Sequence, residues 1–71
     1  MEIEQEKFNI SMRKFLKKVG ITSQQKIEEA VKSEIQREKL LNNNIKVSVK
    51  LEIKEINLVH IIDGEICLKD K

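Results

Sequence analysis

The apolar residues change period once along the chain, at Asn42-Asn43-Asn44, and the halves on either side predict different elements. Before the triplet, apolar residues recur three or four apart, as in a helix with one apolar stripe. After it, Ile45, Val47, Val49, Leu51 and Ile53 alternate strictly with Lys46, Ser48, Lys50, Glu52 and Lys54. That is the two-residue period of a half-buried strand. A helical front half and a sheet-forming back half within 71 residues predict one small α+β domain over residues 1–71.

In the front half, Phe8, Met12, Phe15, Leu16 and Val19 form a stripe that predicts a helix over about residues 4–19. Glu2, Glu4 and Glu6 open it, and Arg13, Lys14, Lys17 and Lys18 close it, an order that suits the helix macrodipole. Gly20 stands where a left-handed cap residue is wanted, with Ile21 placed to fold back on the last turn. Thr22-Ser23-Gln24-Gln25 reads as a capping box opening a second helix, about residues 23–41, with Ile27, Ala30, Val31, Ile35 and Leu41 on one face. The short Gly20-Ile21 link then predicts a tight corner between two helices.

In the back half, a first strand is expected over about residues 45–54 and a second over about 58–69, joined by Lys54-Glu55-Ile56-Asn57. Leu58, His60, Ile62, Gly64, Ile66 and Leu68 share one face of the second strand. A competing reading makes Asp63-Gly64 a two-residue turn and yields three shorter strands. The two-strand reading is preferred, because the long alternation of the first strand needs a long partner. Together these elements predict an ααββ fold, two helices packed on the apolar face of an antiparallel hairpin. Gly64, lacking a side chain, offers a place where a helix would approach the sheet closely.

Composition sharpens this picture in one respect. Phe8 and Phe15 are the only aromatic residues, so any core is built from Ile, Leu and Val. A small aliphatic core rarely supplies more than about 3–5 kcal/mol, and domains of this size add a metal, disulfides or a second subunit. Cys67 is the only cysteine, which excludes an intramolecular disulfide and a cysteine metal cage. A second copy is the remaining route, and a homodimer is expected. The acidic start lacks the basic and apolar regions of a signal peptide, and no apolar run approaches the ~20 residues of a membrane span. These features predict a cytoplasmic protein.

Catalytic chemistry finds little purchase. His60 is the only histidine, and its odd separation from Cys67 places the two on opposite faces of an unbroken strand. They cannot then form a nucleophile–base pair within one subunit. His60 reads as a partly buried, hydrogen-bonded side chain and Cys67 as an ordinary strand residue. Asp63 and Glu65 share a face, but either plausible register sets Lys46 or Lys50 opposite one of them, so an ion pair is the simpler account. No metal-ligand spacing and no phosphate-cradling loop occur, and no enzyme activity, cofactor or metal is expected.

Two surfaces remain as candidates for binding a partner. Arg13, Lys14, Lys17 and Lys18 cluster opposite the Phe8/Phe15/Val19 stripe, with no acidic residue between positions 11 and 20. Such a face suits phosphates, an acidic protein or an anionic membrane surface, although the helix lacks the hydrophobic strength for insertion. On the outer face of the second strand, Val59 and Ile61 are adjacent, and both hairpin strands have free edges. Phe15 to Val31 also has the outline of a helix-turn-helix, although Glu28 and Glu29 on its second helix would repel phosphates. With a net charge of only +2, nucleic acid is the alternative partner rather than the preferred one.

The segment Phe8 to Gln24, with Ile27-Glu28 and Ala30-Val31 after it and His60 and Gly64-Glu65-Ile66 near the end, resembles a family of short bacterial proteins known only as a domain of unknown function. The likeness extends over nearly the whole chain, with a looser match from Lys32 to Asn44. It implies a bacterial, cytosolic, free-standing domain and brings no activity, cofactor or ligand. The expected function is therefore a non-catalytic interaction or assembly module, with a small nucleic-acid-binding protein as the alternative.

Overall fold

The computed structural model describes residues 2–37 and 43–69. One helix, α1 (Gln5–Gln36), is followed by two strands, β1 (Asn44–Ile53) and β2 (Leu58–Cys67), joined through a 3-10 turn at Lys54–Ile56. Backbone contacts divide the chain into two compact units that part between residues 40 and 41, the first holding α1 and the second the hairpin.

The two predicted front helices are one. α1 runs unbroken for 32 residues, about 48 Å at 1.5 Å per residue. Gly20 does not take the left-handed conformation that a corner requires, since no glycine has a positive φ. Thr22, expected to cap a second helix, instead donates its hydroxyl to the Lys18 carbonyl one turn back, at 2.8 Å. A glycine inside a helix costs about 1 kcal/mol relative to alanine. A break there would orphan backbone groups on both sides and require a second, unfavourable nucleation. The apolar stripe also carries across the gap, because Val19, Ser23, Ile27 and Val31 follow one another four apart and are all partly covered. Continuity is the cheaper outcome, and the helix-turn-helix outline falls with the corner.

The ends of α1 are closed locally. Glu4 is the N-cap, its carboxylate accepting from the Lys7 amide at 3.2 Å. At the other end the Arg37 amide reaches the carbonyls of Ile35 and Ser33. The last part of the expected second helix, residues 38–41, and Asn42 of the triplet lie outside the described residues.

The hairpin matches its prediction closely. β1 and β2 are antiparallel, with Ile45 opposite Ile66, Val49 opposite Ile62, Leu51 opposite His60 and Ile53 opposite Leu58. Asp63 and Gly64 lie inside β2 rather than in a turn, so the three-strand alternative does not form. The connection needs one special backbone conformation, Asn57 with φ 53°, and asparagine tolerates it better than most residues. Beyond β2, the Leu68 and Lys69 amides both reach the Asn43 carbonyl, closing the open end.

A Cβ built at Gly64 would meet only Val47 Cγ1 at 3.6 Å, ordinary contact across the strand pair. The aliphatic face of the hairpin is present in full, yet Ile45, Val47, Leu51 and Ile66 are only partly covered and Val49, Ile53, Leu58 and Ile62 are exposed. Among the described residues no side chain is buried.

Candidate interaction surfaces

The first surface is the basic face of α1. Arg13, Lys14, Lys17 and Lys18 are all exposed. The helix continues for nearly five turns past Lys18, so these charges sit in its interior and not at a C-terminus. The macrodipole therefore gives them no stabilisation, because its field is felt only in the terminal turns. Their spacing is unfavourable in itself. Arg13–Lys17 and Lys14–Lys18 are i,i+4 like-charge pairs, and each destabilises a helix by about 0.2–0.5 kcal/mol. The two ion pairs of the described residues, Lys26–Glu29 and Arg37–Glu34, leave the quartet out.

A continuous helix also changes what surrounds this face. Ile21, expected to fold back on a terminating turn, instead stands four residues after Lys17 on the basic side, with Ile10 four residues before Lys14. They are 49% and 66% exposed. The sequence reading missed this pair because the assumed corner assigned Ile21 a different task. The face is thus a row of cations bracketed by two isoleucines.

The second surface is on the hairpin. Val59 and Ile61 project from the face opposite the main aliphatic row, across from Glu52 and Lys50, and are 55% and 58% exposed. From Leu58 to Ile62, β2 carries no formal charge and offers apolar side chains on both faces. Its neighbour β1 carries Lys46, Lys50 and Glu52, and charged side chains of this kind discourage edge pairing. The two edges of this sheet are therefore unequal, and the first half of β2 is the unguarded one.

The polar groups of the hairpin do not converge. His60 is exposed and lies on the aliphatic face opposite Leu51, whereas Cys67 lies on the other face opposite Asn44. The sequence reading placed them on opposite faces correctly, but its partly buried histidine is not found. Lys46 stands opposite Glu65 and Ser48 opposite Asp63. Around Gly64 these residues line a shallow open depression with Val47. Among the described residues, no group of three potential ligands is placed to hold a metal ion, and no helix is long and apolar enough to cross a membrane.

A long helix followed by a two-stranded antiparallel hairpin defines a small α+β protein of simple topology. A family model described as "Family of unknown function (DUF6494)" matches residues 3–69, and the chain belongs to that family. This confirms the likeness noted from Phe8 to Gln24 and around Gly64-Glu65-Ile66. No curated protein and no solved structure matches the chain.

Proposed function

We propose that the protein is a non-catalytic assembly module that works as a homodimer or higher oligomer. The observation that carries this reading is the pair Val59 and Ile61, exposed on the face of a ten-residue hairpin opposite its aliphatic row. A two-stranded hairpin alone is marginal in water, and it gains independent stability only when further strands or a helix cover its apolar face. The unguarded edge of β2 and the adjacent Val59 and Ile61 supply a place for a second hairpin to pair. Molar mass measured by size-exclusion chromatography with light scattering, over a range of concentrations, tests the reading. A dimer that weakens when Val59 and Ile61 are both replaced by lysine is the expected result. A monomer at every concentration overturns it.

A second reading, binding to single-stranded or duplex nucleic acid, is favoured by the basic row of α1. Four like charges that cost helix stability, lack dipole compensation and join neither ion pair are poorly explained as a solvated face alone. If all four meet phosphates, the logarithmic salt slope of binding should be about −3 to −4. Fluorescence anisotropy with labelled DNA and RNA measures it. Binding that persists after Arg13, Lys14, Lys17 and Lys18 are replaced by glutamine would exclude this face.

A further inference from the structure

We infer that β2 pairs edge to edge with β2 of a second copy, antiparallel, with the two-fold axis at His60. The inference rests on the proposed self-association and adds the strand, its direction and its register. The sheet of the described residues has two strands in the order β1-β2, so the far edge of β2 has no strand beside it. α1 cannot take that place, because a helix spends its own amides and carbonyls on its internal ladder. An edge of extended backbone needs another extended backbone.

Charge picks the strand and then the register. β1 presents Lys46, Lys50 and Glu52 on one face, whereas the run Leu58-Val59-His60-Ile61-Ile62 of β2 holds no Asp, Glu, Lys or Arg. Asp63 and Glu65 follow that run. A two-fold axis normal to the sheet sets like face beside like face. Each residue then meets itself or one an even number of positions away. Centred on His60, Val59 meets Ile61 and Leu58 meets Ile62, each twice, and the overlap ends where β2 begins. Centred on Ile61, the register sets Asp63 against Val59. Centred on Ile62, it sets Asp63 against Ile61 and Glu65 against Val59. A centre at Asp63 opposes two carboxylates, and a centre at Val59 overlaps only residues 58–60. His60 is the one centre that pairs the whole uncharged run with itself. It also gathers Val59 and Ile61 of both copies, 55% and 58% exposed in one chain, into a single patch of cross-strand neighbours.

Cysteine cross-linking of the full chain tests the register. Leu58→Cys, Val59→Cys, His60→Cys, Ile61→Cys and Ile62→Cys are made singly in a Cys67→Ser background and oxidised mildly. Directly opposed strand residues have Cα atoms about 4.5–5.5 Å apart, within reach of a disulfide. Identical residues lie about 7 Å apart along the strands one position from the axis, and about 14 Å two positions from it, which is out of reach. His60→Cys alone should give a covalent dimer. Val59→Cys and Ile61→Cys should each stay uncoupled by themselves and join when mixed. A maximum at any other single position overturns the register. A dimer by light scattering that cross-links at none of the five overturns edge pairing, while leaving self-association through another surface intact. A monomer overturns both. As a second arm, His60→Lys and His60→Glu each oppose like charges at the axis and should raise the dimer Kd about 1.4- to 5-fold. An equimolar mixture of the two should associate more tightly than either alone. A mixture no tighter than either variant overturns the pairing.

Discussion

The hydroxyl of Thr22 donates to the carbonyl of Lys18 at 2.8 Å, and this bond ties together two segments that local signals assign to separate helices. Glycine followed by a threonine capping box is a strong helix boundary in isolation. Here the hydroxyl serves the helix it was expected to end. A side chain bonded back to the preceding turn leaves the ladder intact and gives the helix interior only a slight bend.

Gly20→Ala separates the two descriptions. In a continuous helix whose Gly20 Cβ would meet nothing within 4 Å, the substitution should stabilise the protein by up to about 1 kcal/mol. At a left-handed corner it would destabilise by a similar amount. Thermal melting followed by far-ultraviolet circular dichroism gives the sign.

Lys17→Gln should also raise helix stability, by about 0.2–0.5 kcal/mol for each like-charge neighbour it relieves. The same variant is expected to weaken any anionic partner. Melting temperature and anisotropy titration, measured on one preparation, would then move in opposite directions. A variant neutral in both assays would mean that the basic row is merely solvated.

Among the described residues, Asn57 carries the only positive φ, at 53°. Asn57→Gly should be nearly neutral, and Asn57→Ala should cost about 1 kcal/mol because alanine strains in the left-handed region. Hydrogen exchange at the Leu58 and Val59 amides is the local readout. Equal protection in both variants would show that the turn does not limit hairpin stability.

Lys46 and Glu65 face each other across the strands. Lys46→Glu should destabilise the hairpin by about 0.2–1 kcal/mol, and Glu65→Lys in the same chain should recover most of it. Chemical denaturation of the two single variants and the double variant forms the cycle. Additive effects would mean that the pair does not interact.

Much of the hairpin was legible because a two-residue period admits one face assignment, and a single slip would turn Ile45, Val47, Val49, Leu51 and Ile53 outward. The same alternation placed His60 and Cys67 on opposite faces and set Lys46 or Lys50 opposite one of Asp63 and Glu65, and the register of the folded hairpin makes that pair Lys46 and Glu65. Arg13, Lys14, Lys17 and Lys18 were legible as a cluster for a similar reason, since three- and four-residue spacing defines one side of a helix. Their meaning was not. Their apparent role as a dipole-matched end depended on a terminus at Val19 that does not exist.

The sequence by itself determined the class of each half, the strand faces, the loop between the strands and the family. Only the folded structure decided that Val19, Gly20, Ile21 and Thr22 belong to one helix. Local capping preferences are worth about 1 kcal/mol each and can be read residue by residue. Helix continuity is cooperative: every turn from Gln5 to Gln36 shares one nucleation, and that shared gain outweighs a glycine and a threonine in its path.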